Sequence, residues 1–178
     1  MTTPASPYRV PLPADVPVVR RARVGDVRRI KELVDFYAGE ILLEKSLANL
    51  FEDVTEFWVA EFRGRVVSCG ALHVLWEDLG EIRTVATDPA VRGRGIGRAL
   101  CEAVMAEARR IGVQRLFVLT FETSFFGALG FAPIAELDLT PQAMEELRRS
   151  YDAGVAEFLD LPYVKPNTLG NTRMLLQL

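Results

Sequence analysis

Apolar positions along the chain switch between two periods, and the switches lay out a succession of strands and helices. Residues 18–23 open with paired valines and predict a strand. Val27, Ile30, Val34 and Tyr37 then share one helical face, with Asp26 placed to cap it. Leu47, Leu50, Phe51 and Val54 repeat the helical period. Residues 57–62 and 66–75 predict two strands joined by a turn at Arg63-Gly64-Arg65. A β-branched run over 82–87 predicts the next strand and stops at Asp88-Pro89. Ile96, Leu100, Val104 and Ile111, with Ala99, Ala103 and Ala108 between them, predict a helix. Residues 113–120 are almost all apolar, as expected of a strand covered on both faces. A short helix over 124–129 ends at Gly130, and 131–137 predict another strand. Thr140 and Pro141 sit as cap and first residue of a helix over 140–151. Residues 172–178 close the chain as a strand. The order predicts an α/β fold of the α+β type, with a mixed central sheet flanked by helices. A single domain is expected over 18–178. It follows a flexible tail, residues 1–17, that carries Pro4, Pro7, Pro11, Pro13 and Pro17.

The junction between the 82–87 strand and the helix at Ile96 carries chemistry. Gly93, Gly95 and Gly97 alternate there. Glycine lets backbone N–H groups approach a ligand closely. The first N–H groups of a helix lack internal partners and lie at the positive end of its dipole. Strand, glycine loop and helix start together predict a site for phosphate or pyrophosphate. Two common readings fail on spacing. No Lys-Ser or Lys-Thr pair follows the glycines, as a P-loop requires. The dinucleotide pattern G-x-G-x-x-G ends on Arg98 when started at Gly93 and on Leu100 when started at Gly95. What stands here is Arg-x-x-Gly-x-Gly, as Arg92-Gly93-Arg94-Gly95-Ile96-Gly97.

Composition narrows the partners. A net charge of −3 gives no reason to expect nucleic acid. No apolar run is long enough to span a membrane, and the N-terminus lacks the pattern of a signal peptide. Cys69 and Cys101 sit inside apolar patterns, as buried thiols of a reducing, cytoplasmic compartment would. One histidine and no Cys-x-x-Cys pair argue against a metal.

The glycine loop resembles the acetyl-coenzyme A loop of the GNAT N-acetyltransferases. The resemblance implies a cosubstrate, acetyl-coenzyme A, whose pantetheine arm pairs with the strand and whose pyrophosphate sits on the loop. The implied contacts are Val85, Ala86, Thr87, Arg92, Gly93, Arg94, Gly95, Ile96, Gly97 and Phe126. Further runs narrow the likeness: Ile41-Leu-Leu-Glu-Lys-Ser-Leu47, Glu56-Phe-Trp-Val-Ala-Glu61, Cys69-Gly-Ala-Leu-His-Val-Leu-Trp76, Asp78-Leu-Gly-Glu-Ile-Arg83 and Leu116-Phe-Val-Leu-Thr120. With Phe125-Phe126 and Gly130-Phe131, they look like the transferase domain of bacterial N-acetylglutamate synthases in the short form. That implies acetylation of the α-amine of L-glutamate, the first step of arginine biosynthesis. Longer relatives carry an amino-acid-kinase domain, for which 178 residues leave no room. Pairing into a homodimer through the late strands is a further expectation of the resemblance.

The reaction is attack of an amine on a thioester. An α-amine with a pKa of about 8 costs roughly 1.4 kcal/mol to deprotonate at pH 7. Holding two reactants in register is worth about 7–11 kcal/mol, so positioning outweighs base strength. Glu81 is the first candidate base, placed at the opening of its strand; the plainer alternative is a solvated strand-end acid. His73 is the second candidate. A backbone N–H near Val85 is expected to face the thioester oxygen. Many relatives place a tyrosine, as thiolate acid, where this chain has Phe126. Ser124, water or no acid at all must serve instead. Two substrate carboxylates call for cationic or amide donors, and arginine grips a carboxylate with two bonds. Arg83 shares the strand face of Glu81. Its alternative is an internal ion pair with Glu77, Asp78 or Glu81. Lys45, Lys165, Asn171 and Arg173 complete the candidate substrate contacts. Other readings stay open: a different amine, such as glutamine or a peptide N-terminus, or a non-catalytic acyl-coenzyme A module.

Overall fold

The structure, a computed structural model, describes residues 16–150 and 170–178. Seven strands form one sheet: β1 (Val18–Arg21), β2 (Phe57–Phe62), β3 (Arg65–Val74), β4 (Leu79–Thr87), β5 (Arg115–Thr120), β6 (Ala132–Pro133) and β7 (Thr172–Gln177). Their order across the sheet is β1-β2-β3-β4-β5-β7-β6. Neighbours are antiparallel except β4 and β5, which run parallel. A parallel pair needs a crossover, and helix α3 (Ile96–Ile111) supplies it. The arrangement is the mixed, helix-flanked sheet that the apolar pattern predicts.

The two-residue period of the strands sends alternate side chains to opposite faces. Leu72 and Ile82 pack on the α3 side, against Cys101, Val104, Met105 and Ala108. Cys69, Ala71 and Ala86 face the other way. They meet helix α1 (Val27–Asp35), helix α2 (Leu47–Glu52) and Tyr37 through Val27, Ile30, Val34 and Leu50. Full burial of each such aliphatic side chain contributes about 1.5–3 kcal/mol. Burial also pushes both thiols, Cys69 and Cys101, up to about 12. They stay protonated and inert.

Several boundaries differ from the sequence reading, each for a local reason. The strand expected over 131–137 shrinks to β6. Pro133 has no N–H to extend the ladder, and only Ile134 continues, donating to the Arg173 carbonyl at 2.9 Å. Helix α5 spans Pro141–Leu147, capped by Thr140 Oγ1 on the Ala143 N–H at 3.1 Å. The last residue expected in it, Tyr151, lies outside the described residues, as do residues 1–15 of the proline-rich tail. Asp26 stands at the N-cap position of α1, but its side chain makes no capping bond to that helix. It closes a 3-10 turn instead, accepting the Arg23 N–H at 2.8 Å and both terminal nitrogens of Arg20 at 2.7 and 3.0 Å. Strand β5 begins at Arg115 because the amides of Gln114 and Arg115 both turn to the Asp78 carbonyl. Strand β4 begins three residues earlier than its β-branched run, since Leu79 completes a tight turn with Trp76.

Candidate active site

The site exists because β4 leaves β5 partway along. Strands β4 and β5 pair only from Leu79–Arg115 to Glu81–Phe117. On the other edge, β3 and β4 stay in register at Ala71–Arg83 and resume at Cys69–Ala86. Three steps on β4 thus oppose two on β3, with Thr84 in the left-handed region at φ 57°. This is a β-bulge, which bends a strand and leaves a residue out of the ladder. From Glu81 onward, through this bulge, β4 and β5 part around a cleft of about 500 Å³. Glu81 through Val85 form one wall and Val118 through Glu122 the other; residues 41–45, Asn49, Glu52, Asp53, the Phe125-Phe126 pair and Asn171 also contribute to the lining. The amides around Val85 therefore lie where an extended ligand can pair with them.

At the far end of β4 the chain enters the glycine loop. Asp88 accepts the Ala90 N–H at 3.0 Å and starts a 3-10 turn, Pro89–Val91. Gly93 and Gly95 both adopt left-handed backbone, at φ 77° and 75°, and Gly95 is the N-cap of α3. No atom lies within 4 Å of where a Cβ would stand on either. A Cβ on Gly97 would meet Thr87 Oγ1 at 3.2 Å, so the first turn of α3 packs directly on the end of β4. Ile96 is buried in the core, leaving its amide, not its side chain, for a ligand. Tyr37 braces the loop from the turn after α1: its hydroxyl donates to the Thr87 carbonyl at 2.6 Å, and the Arg92 guanidinium lies 5.3 Å from its ring centre. Burial pushes the Tyr37 phenol up against the opposing charge of Arg92, so it stays a donor. Ala86 is buried, its carbonyl accepting from Ser68 Oγ, which also meets Thr87 Oγ1 at 2.8 Å. Arg94 lies over Phe62, 5.8 Å from its ring centre. This frame of unobstructed amides at a helix start suits a pyrophosphate.

Below the loop stands a row of charge. Glu81 is not a solvated strand-end acid: it is the third residue of β4, 5% exposed, and lines the cleft. Arg83, two residues on, has a side chain only 9% exposed. Its Nη2 lies 3.0 Å from Glu56 Oε2 and 3.7 Å from Asp53 Oδ2. Asp78, expected nearby, is held by Arg115 at 2.8 Å. Lys45 is no exposed helix-end lysine either; its Nζ lies 3.5 Å from the same Asp53 Oδ2. Glu56 also meets His73, whose Nδ1 lies 2.9 and 3.0 Å from its two oxygens. Burial raises the Glu56 carboxyl, but His73 and Arg83 outweigh that and hold it below the usual range. An ionised carboxylate only accepts, so the His73 Nδ1 must carry the proton. His73 is not among the described residues that line the cleft, although it stands opposite Glu81 across the β3–β4 ladder.

The structure therefore gathers Glu81, Arg83, Lys45, Val85, Phe126 and Asn171 around one cleft. Phe126 is 4% exposed, its ring edge-on to Phe125 and Phe131 at 5.1 and 5.4 Å, so it is core as much as lining. Arg173 lies on β7 opposite Leu119, outside the cleft's described lining. Ser124 is exposed on the short helix α4 (Thr123–Gly127), also outside it. Lys165 lies outside the described residues. Asp53, Glu56 and the bracing role of Tyr37 were not foreseen. Their partners are distant in sequence, and no local pattern marks them. Among the described residues no cluster of potential metal ligands occurs, and no helix is long and apolar enough to cross a membrane.

The model of the acetyltransferase (GNAT) family matches residues 27–132. An amino-acid acetyltransferase of Mycobacterium tuberculosis is 62% identical over 165 residues, 91% of this chain and 95% of that protein. The amino-acid acetyltransferase of Escherichia coli K12 is 31% identical over 132 residues; the match spans only 30% of that longer protein. Among solved structures, Rv2747 from M. tuberculosis in complex with CoA and NLQ superposes with a TM-score of 0.87 at 62% identity, covering 90% of this chain and 99% of that one. N-acetylglutamate synthase from Neisseria gonorrhoeae, complexed with coenzyme A and N-acetyl-glutamate, gives a TM-score of 0.73 at 26% identity, covering 92% of this chain and 35% of that one.

Proposed function

The chain belongs to the acetyltransferase (GNAT) family and is an amino-acid acetyltransferase that uses acetyl-coenzyme A; from that premise we propose that its acceptor is the α-amine of L-glutamate. The observation that carries this reading is the placement of two cations, Arg83 and Lys45, in the same cleft as the buried carboxylate of Glu81. Glutamate presents one amine and two carboxylates, and the cleft offers a buried acid, Glu81, for the amine and two cations, Arg83 and Lys45, for the carboxylates. When bound, acetyl-coenzyme A supplies the thioester carbonyl that the amine attacks.

The chain's own groups have separable tasks. Amides at Gly95, Ile96 and Gly97 hold the pyrophosphate, and the freed edge of β4 aligns the arm. The bulge directs an N–H near Val85 at the carbonyl oxygen, where negative charge develops. Glu81 takes the amine proton, directly or through one water. Arg83 and Lys45, with Asn171 across the cleft, orient the substrate's carboxylates. Phe126 donates no proton, so the departing thiolate is protonated from solvent. Release of coenzyme A, assayed across the amino acids and a peptide N-terminus, tests the reading. Glutamate is expected to give the highest kcat/KM. Preferred acetylation of a peptide, or of an apolar amino acid, would overturn it.

A second acceptor, glutamine, is favoured by one observation. Asp53 and Glu56 already engage both cations, which leaves less positive charge for a second substrate carboxylate.

A further inference from the structure

The two acids that hold the cleft's cations are held differently. Glu56 is fixed from two sides: His73 meets both its oxygens, and Arg83 lies 3.0 Å away. Asp53 is suspended between cations. A single oxygen, Oδ2, stands 3.5 Å from Lys45 and 3.7 Å from Arg83, longer than good charge-assisted bonds. Its side chain is 24% exposed and lines the cleft. Its backbone is pinned, donating to the Asn49 carbonyl and accepting from the Glu56 N–H, both at 2.9 Å. A carboxylate oxygen midway between a lysine and an arginine is what a bound dicarboxylate would place there. The described lining adds Glu44, Glu52, Glu81 and Glu122 to Asp53, against only Lys45 and Arg83.

We infer that Asp53 is a specificity-determining residue, a built-in counter-ion that competes with the side-chain carboxylate of the substrate and so sets the preference between an acidic amino acid and its neutral amide. The inference rests on the proposed α-amino-acid acceptor. Glu56 is a positioning residue with a different effect: fixed by His73, it orients Arg83 for the carboxylate that both substrates share. Removing the charge of Asp53 frees Lys45 for the second carboxylate, while Glu56 still holds Arg83 for the shared one. Removing that of Glu56 loosens Arg83 for either substrate.

The test compares the parent with Asp53→Asn and Glu56→Gln, each nearly isosteric. Coenzyme A release gives kcat/KM for glutamate and for glutamine. Calorimetry gives the affinities of glutarate and of its monoamide, which lack the amine and need no turnover. Asp53→Asn is expected to raise the glutamate-to-glutamine ratio, and the glutarate-to-monoamide affinity ratio, about fivefold, the size of one partly exposed charge interaction. Glu56→Gln is expected to lower both substrates together and leave both ratios in place. A general structural disturbance at residue 53 would also lower both, so the ratio separates it from the proposed role. Ratios unchanged by Asp53→Asn would overturn the inference. A parent that acetylates neither amino acid would overturn the proposed acceptor instead, and the glutarate ratios would still decide on Asp53.

Discussion

Replacing Gly95 by valine puts a side chain on a residue whose φ is 75°. Left-handed backbone costs a residue with a Cβ about 1–2 kcal/mol, and a β-branched one lies at the upper end. No atom lies within 4 Å of the new Cβ, so no clash adds to that strain. At about 2–4 °C per kcal/mol for a domain of this size, the unliganded protein should melt roughly 2–8 °C lower and remain folded. Binding should suffer more. The strained residue turns its own amide and that of Ile96 away from the pyrophosphate, and each hydrogen bond to a charged group is worth about 1.5–3 kcal/mol. A loss near 3 kcal/mol is roughly a hundredfold in Kd. Calorimetry with coenzyme A reads that number, and a thermal melt without ligand reads the strain. S-acetylpantetheine, which has the thioester and the arm but no pyrophosphate, should be used equally well by parent and variant. A folded variant that binds coenzyme A like the parent would refute the loop assignment. Equal losses with both ligands would place the damage in the strand rather than the loop.

Three further outcomes follow from the geometry. Glu81→Gln should lower kcat at pH 7 by about 10²–10⁴-fold, with much of the loss recovered at high pH where the amine is already neutral; an unchanged rate at pH 7 would move the role to another group. Phe126→Tyr should change turnover by less than about threefold if the thiolate needs no acid, since a thiolate leaves readily on its own; a large gain would show that protonation limits the enzyme. Glu107 on α3, bonded to Arg110 and also paired with Arg21, is held down at about 2 from an ordinary value of 4.5. A depressed carboxyl contributes stability that is present above its unfolded value and lost as pH falls through its folded one. Glu107→Gln should therefore flatten the fall in Tm between pH 4.5 and about 2, checked by melts across that range; an unaltered pH slope would show that the pair contributes nothing.

Local sequence determined the elements and the phosphate loop. The period of Val27, Ile30 and Val34 fixed the buried face of α1, and the alternate glycines marked the turn into α3, because helix faces and left-handed turns depend on residues a few positions apart. The same local logic left Glu81 open between a base and a solvated strand-end acid. A charged residue at the opening of an apolar run reads equally well as a solvated strand-end acid, whereas Glu81 is the third residue of β4 and buried. That conflict between pattern and position is itself a mark of a functional site. Tertiary structure decided the rest. The bulge at Thr84, the parting of β4 from β5, and the chain from Lys45 through Asp53, Arg83 and Glu56 to His73 join residues from five separate segments. Which acid reaches Arg83 depends on where the turn after α2 comes to rest against the sheet. Such long-range pairing has no period to read along the chain, because charge interactions act through space and the fold alone sets the distances.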